Sequence, residues 1–281
     1  MMFKDVIAPE ILREHLSDPA WAIFDCRFDL KDPAWGFRSY QEGHIPGAVY
    51  AHLDHDLSGP VIPGQTGRHP LPDVDTLAER FSAWGIDDRT QVVVYDTAGG
   101  AYAARLWWLL HFLGHPAAAV LDGGLQAWQQ LGLPLASGIE TRSPAAFHPR
   151  PHWEMVATTA EVEQVQDSPA HRLIDARAPE RYRGEVEPID PVAGHIPGAV
   201  NRFHGANLQE NGRFLPPEAL RRQFLDLLGN VPPENAIVYC GSGVTSCHHL
   251  VALSRAGLPG ARLYVGSWSE WITDRKRKIS K

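Results

Sequence analysis

A chain of 281 residues exceeds one ordinary domain and is comfortable for two. Hydrophobic residues make up 44% and charged residues 21%, no apolar run approaches the roughly 18 residues that span a bilayer, and the formal net charge is -7. No membrane-spanning helix is therefore expected, and a nucleic-acid-binding body is disfavoured. From the N-terminus, periodicity predicts a strand over 22–25, a helix over 75–84, a strand over 91–95, a helix over 101–113, a strand over 118–121 and a helix over 125–131. The second half repeats this with a strand over 172–175, a helix over 217–228, a strand over 236–239, a helix over 244–256, a strand over 261–264 and a helix over 267–273. Gly114 and Gly257 stand where helix C-caps belong. Short apolar strands alternating with helices imply an α/β chain with parallel sheets covered by helices on both faces.

The two halves are a diverged duplication. Gly43-His44-Ile45-Pro46-Gly47-Ala48-Val49 recurs as Gly194-His195-Ile196-Pro197-Gly198-Ala199-Val200. Asp25-Cys26-Arg27 recurs as Asp175-Ala176-Arg177, and Val92-Val93-Val94-Tyr95 as Ala236-Ile237-Val238-Tyr239. Asp122-Gly123-Gly124-Leu125-Gln126-Ala127-Trp128 is matched in character by Val265-Gly266-Ser267-Trp268-Ser269-Glu270-Trp271. Periodicity lapses between the halves, where Pro144, Pro149 and Pro151 punctuate the chain. The expected organisation is a domain over 1–138, an extended linker over 139–153 running on the surface and a domain over 154–281. His44, His195 and the two Asp/Arg pairs occur in both halves, which points to structural roles. The basic cluster Arg275-Lys276-Arg277-Lys278 reads as a solvated, frayed end.

Cys240 ends an expected strand and opens Cys240-Gly241-Ser242-Gly243-Val244-Thr245, which leads into a helix. A glycine-rich loop lets several N–H groups converge on one centre, and the helix adds the positive end of its dipole. Such settings lower a thiol pKa from about 8.5 into the range of about 3.5–7.5. The competing reading is a buried, inert cysteine. The matching position in the other half is Asp96, so one half alone carries thiolate chemistry. A cysteine phosphatase needs an arginine six residues after its nucleophile, and Ser246 stands there. Cys240, Cys247, His248 and His249 lack the close cysteine pair of a structural zinc site, so no metal is expected. Three cysteines make no disulfide framework, and Lys4-Asp5 falls where a signal peptide has its apolar core, so a cytoplasmic location is expected.

On these landmarks the chain resembles the tandem-domain rhodanese family from about residue 5 to residue 273, and its active loop resembles the 3-mercaptopyruvate sulfurtransferase branch. The resemblance implies two rhodanese-like domains, the first non-catalytic, and sulfur transfer through a persulfide on Cys240 without a cofactor. It implies a small-molecule sulfur donor, with a thiol, a thioredoxin-like protein or cyanide as acceptor. By the same resemblance Ser242, His69 and Asp54 match a catalytic serine, histidine and aspartate. Arg181 matches the arginine for the substrate carboxylate, and Gly241, Gly243, Val244 and Thr245 line the donor. The branch often has a second arginine in a Pro-Glu-Pro-Arg stretch. Here the stretch is Glu187-Pro188-Ile189-Asp190-Pro191, which leaves Arg181 with Arg183 to bind the anion. The thiosulfate branch carries basic residues directly after the cysteine, where this chain has Gly241 and Ser242. The expected donor is 3-mercaptopyruvate. The alternatives are thiosulfate:cyanide sulfur transfer and a non-catalytic persulfide-binding regulatory module.

Overall fold

The structure, a computed structural model, describes residues 2–281. The chain divides into two compact units. The first takes the chain up to Ser58, then Pro72–His152 and Leu208–Phe214; the second takes Gly59–Leu71, Trp153–Asn207 and Leu215–Lys281. The loop around His69 thus belongs to the second unit, although it lies in the first half of the sequence.

The first unit holds a parallel sheet of β1 (Val6–Ile7), β2 (Trp21–Asp25), β3 (Ala48–Tyr50), β4 (Gln91–Tyr95) and β5 (Ala118–Leu121), in the spatial order β1-β5-β4-β2-β3. Every residue of β2, β4 and β5 is buried. Side chains alternate between faces along a strand, so both faces of the sheet are covered. One face packs Trp21, Ile23, Val93 and Tyr95 with Leu12, Leu125 and Trp128. The helices are α1 (Pro9–Glu14), α2 (Trp35–Glu42), α3 (Leu53–Asp56), α4 (Val74–Ala83), α5 (Ala103–Phe112) and α6 (Gly124–Gln130). All of α5 except His111 is buried, as expected of a helix apolar around its circumference. Gly114 closes α5 at φ +80°, a left-handed position that favours glycine.

The second unit repeats the plan. Its sheet runs β6 (Val156–Ala157), β7 (Arg172–Asp175), β8 (Val200–Asn201), β9 (Ala236–Tyr239) and β10 (Arg262–Tyr264), in the order β6-β10-β9-β7-β8. Its helices are α7 (Thr159–Val165), α8 (Pro179–Tyr182), α9 (Pro217–Leu228), α10 (Cys247–Arg255) and α11 (Ser267–Trp271). Leu173, Ile237, Tyr239 and Tyr264 pack with Val162, Ile196, Trp268 and Trp271. Thr158 and Glu161 form a reciprocal capping box on α7.

The duplicated motifs carry the same contacts in each unit. Arg27 and Arg177 each hold the carboxylate two residues before them at 2.6 Å and donate to the carbonyl of Gly43 or Gly194 at 2.7 Å. His44 and His195 are buried, each with Nδ1 at 2.7 Å from a backbone carbonyl, of Tyr40 and Tyr182. Both pairs are structural, as their repetition implied. The stretch after α6 is a strap on the first unit: Glu140 N–H donates to the Tyr40 hydroxyl, Arg142 to the Trp21 carbonyl and Ala145 N–H to the Ser82 carbonyl.

The basic tail departs from expectation, because it is docked. Arg277 reaches Glu163 at 2.6 Å and lies 5.8 Å from the Trp271 ring centre. Trp271 Nε1 donates to the Lys278 carbonyl, and Ser280 exchanges two backbone hydrogen bonds with His195. In the first unit Ala136 pairs with His44 in the same way. Of the four basic side chains Arg277 is the docked one, while Arg275, Lys276 and Lys278 are exposed to solvent as expected.

Candidate active site

Cys240 lies directly beyond the carboxyl end of β9, an interior strand of the second sheet, where ligands bind in open α/β sheets. Residues 240–246 curl before α10 begins at Cys247, three residues later than the periodicity suggested. Gly243 enables the curl. Its φ is +75°, and a Cβ there would stand 2.2 Å from the Val265 carbonyl oxygen. The ends of the loop are tied to α11. Cys240 N–H donates to Ser267 Oγ at 3.1 Å, and the carbonyls of Cys240 and Gly241 accept from Trp268 and Ser269 N–H at 3.0 and 2.8 Å.

The Cys240 thiol is 2% exposed. Burial raises its pKa, but hydrogen bonds from the Ser246 and Thr245 hydroxyls and from the N–H groups of Ser242 and Ser246 outweigh it, leaving the thiol more acidic than an ordinary cysteine. Ser246 Oγ is 3.5 Å from Sγ. The cradle is therefore hydroxyl-rich as well as backbone-built, the hydroxyls adding to the N–H groups and helix dipole expected from the loop. Cys26 is the contrast: burial, together with the carboxylates of Asp25, Asp96 and Asp56, pushes its thiol well up. Cys247 is buried, with Sγ 3.4 Å from the Gly243 carbonyl, and Asn207 bonds both His248 and His249 at 3.1 and 2.9 Å. These residues pack in the core at the start of α10.

Two other expected residues meet beside the loop. His69 Nδ1 is 2.7 Å from Ser242 Oγ, and the residues are 2% and 5% exposed. The loop carrying His69 is seated by Gly67, whose Cβ would stand 2.6 Å from the Gly266 carbonyl oxygen, and by Arg68 N–H, which donates to Ser269 Oγ at 3.0 Å. Asp54 is the second residue of α3 in the first unit, half-buried, with its N–H 3.1 Å from His52 Nδ1.

The anion side of the site corrects the sequence reading. Arg183 does not join Arg181; it is exposed and paired with Glu185. Arg181 is held on edge by Glu187 at 2.7 Å and by Asp190 at 3.0 Å. Asp190, in the stretch that lacks the expected arginine, holds Arg68 with its other oxygen at 2.6 Å. Both guanidinium groups face Gly241. A Cβ there would lie 3.1 Å from Arg68 Nη2 and 3.6 and 3.7 Å from the two Nη atoms of Arg181. The glycine thus leaves the loop open toward two cationic heads. The sequence signal for Arg68 was its place beside His69. A cavity of about 420 Å³ adjoins Arg68, lined by Thr66, Gly67, Arg68, Asp190 and Ser269 among others; Gly241, Arg181 and Cys240 are not in its lining. A larger one of about 670 Å³ lies on the first unit around Gly85, Arg89 and Arg142, and no cysteine or histidine lines it.

The first unit shows what the same loop does without a thiol. Asp96 accepts from the N–H groups of Ala98 and Gly100 with Oδ1, both at 2.8 Å, and of Tyr102 and Ala103 with Oδ2 at 2.8 and 2.9 Å. Its own carboxylate occupies the anion cradle.

Residues 8–131 and 158–274 each match the family of the rhodanese-like domain. The chain is 50% identical over 281 residues to the probable 3-mercaptopyruvate sulfurtransferase of Pseudomonas aeruginosa, covering 100% of this chain and 99% of the relative. It is 40% identical over 267 residues to the putative thiosulfate sulfurtransferase SseB of Mycobacterium tuberculosis, covering 94% and 92%. Among solved structures it superposes on SseA from Escherichia coli, described as a 3-mercaptopyruvate sulfotransferase, with a TM-score of 0.81 at 31% identity, covering 95% of this chain and 100% of that one. No helix among the described residues is long and apolar enough to cross a membrane.

Proposed function

The chain belongs to the rhodanese family and is a sulfurtransferase built of two rhodanese-like domains; from that premise we propose that it takes sulfur from 3-mercaptopyruvate onto Cys240 and passes it to a thiol, a thioredoxin-like protein or cyanide. The Cys240 thiolate attacks the donor sulfur, the carbon–sulfur bond breaks, and its electron pair stays on carbon as the pyruvate enolate. The proton first carried by the donor thiol ends on the pyruvate methyl, leaving a persulfide anion on Cys240. Ser242 and His69, in hydrogen-bond contact, form the relay for that proton. An acceptor thiolate then attacks the outer sulfur and restores the Cys240 thiolate. The loop hydroxyls and N–H groups that favour the thiolate also favour the persulfide anion. Three free cysteines suit a reducing cytoplasm.

The observation that carries the donor choice is the charge balance beside Gly241. Arg68 and Arg181 are matched by Glu187 and Asp190, so this quartet offers directed donors with no net positive charge. A monoanion is bound there at less electrostatic cost than a dianion approaching a thiolate. The relay has work to do with 3-mercaptopyruvate and none with thiosulfate. Steady-state kinetics with both donors test this, and kcat/KM is expected to be higher for 3-mercaptopyruvate. A preference for thiosulfate overturns the donor. Intact mass after donor treatment is expected to show one added sulfur, absent from Cys240→Ser; sulfur loading and turnover retained by that variant would overturn the nucleophile.

A further inference from the structure

We infer that Arg68 is the second carboxylate-binding residue of the donor site, replacing an arginine that this chain lacks in the 187–191 stretch. The inference rests on the reading that the donor's carboxylate lies beside Gly241. Asp190 carries the argument. One carboxylate oxygen holds Arg68 Nη1 and the other holds Arg181 Nη2, so a single 2%-exposed side chain clamps two guanidinium groups side by side. Arg68 comes from a loop 122 residues away in sequence, fixed through Gly67 and Ser269, so its backbone is positioned before any donor arrives.

The guanidinium is not used up by Asp190. Nη1 is engaged, Nη2 faces the space above Gly241, and Nε is buried without a hydrogen-bond partner. A ligand oxygen arriving between Arg68 and Arg181 meets Nη2, the group that faces Gly241. Arg181 contributes from the other side, since Glu187 and Asp190 engage its Nε and Nη2. That leaves Nη1 of Arg181 and Nη2 of Arg68 on either side of Gly241, and the two oxygens of a carboxylate, or the carboxylate and carbonyl oxygens of an α-keto acid, fit one to each.

The test separates carboxylate recognition from donor chemistry. Alkylation of Cys240 by iodoacetate, which carries a carboxylate, is compared with alkylation by neutral iodoacetamide in wild type, Arg68→Ala and Arg68→Lys. The iodoacetate to iodoacetamide rate ratio is expected to fall about tenfold in Arg68→Ala and less in Arg68→Lys, with the iodoacetamide rate held within about twofold as evidence of an intact loop. In steady state, KM for 3-mercaptopyruvate is expected to rise about tenfold in Arg68→Ala with kcat within about threefold. An unchanged ratio together with an unchanged KM overturns the assignment. A fallen ratio in an enzyme whose wild type prefers thiosulfate leaves Arg68 in its role and removes only the donor reading.

Discussion

At the scale of the residue, the site depends on hydroxyls that the sequence marked only indirectly. Ser246 was notable as the place where a phosphatase would have an arginine; in the fold its Oγ lies 3.5 Å from the Cys240 sulfur and helps hold the thiolate. Ser267 is clearer still. It sits at φ +54°, the one non-glycine residue at positive φ among those described, where the first unit has Gly124 at φ +57°. Such strain costs about 1–3 kcal/mol. The serine keeps it because Oγ accepts from Cys240 N–H and donates to the Tyr264 carbonyl, which glycine cannot do. A prediction follows for Ser246. Because the folded thiol is more acidic than the free one, sulfur loading rises with pH through the Cys240 pKa and levels off above it. Stability linked to this group is present above the unfolded thiol pKa and is lost as pH falls through the folded one. Ser246→Ala removes a hydrogen bond to a charged group, of order 1.5 kcal/mol, or about one pK unit. The alkylation midpoint is expected to move up by about one unit, loading near neutral pH to slow by up to about tenfold, and alkaline pH to restore it. An unmoved midpoint would assign the acidity to the backbone and Thr245.

At the scale of the element, every strand expected from periodicity is present, and the ones that escaped are β1, β3, β6 and β8, two or three residues each. A two-residue strand is shorter than one alternation, so no pattern can announce it. Five helices escaped too, α1, α2, α3, α7 and α8, none longer than the eight residues of α2. The active loop was legible because β9, a glycine-rich turn and a helical stripe follow one another in sequence. Arg68 was not, because only the pairing with Asp190 gives it a function, and that contact is tertiary. The start of α5 is set by a local side-chain contact: the helix begins at Ala103, where Tyr102 and Ala103 N–H are taken by Asp96. This carboxylate ties four N–H groups of its loop, so Asp96→Ala strands them in a largely buried place. Destabilisation of about 3 kcal/mol is expected in urea unfolding, with Asp96→Asn losing less. Sulfur loading should stay at one atom per chain in both variants. A neutral effect of Asp96→Ala would mean that water serves these groups as well as the carboxylate does.

At the scale of the whole molecule, duplication explains which motifs are chemical and which are architectural. What the halves share, the Asp/Arg pairs, the buried histidines and the Gly-His-Ile-Pro-Gly segments, builds two sheets of one strand order. What they do not share, Asp96 against Cys240 and Gly124 against Ser267, sets apart the copy to which we assign the chemistry. The comparison extends to the tail. In each unit the segment after the sheet returns to pair with the repeated histidine, Ala136 with His44 and Ser280 with His195. The closing segment of the second unit is therefore part of its architecture, and one of its basic residues, Arg277, is fixed by Glu163, the Trp271 ring and the carbonyls of Glu270 and Trp271. Removing residues 277–281 deletes the two backbone bonds between His195 and Ser280 and the bond from Trp271 to the Lys278 carbonyl, each about 0.5–1.5 kcal/mol, and uncovers a tryptophan that is now fully buried. A loss of about 2–4 kcal/mol is expected, seen as a fall in Tm of about 5–15 °C. Because none of these residues touches the Cys240 loop directly, persulfide formation should persist below the new transition. A truncated chain that melts where wild type does would return the tail to the frayed end that its composition suggested.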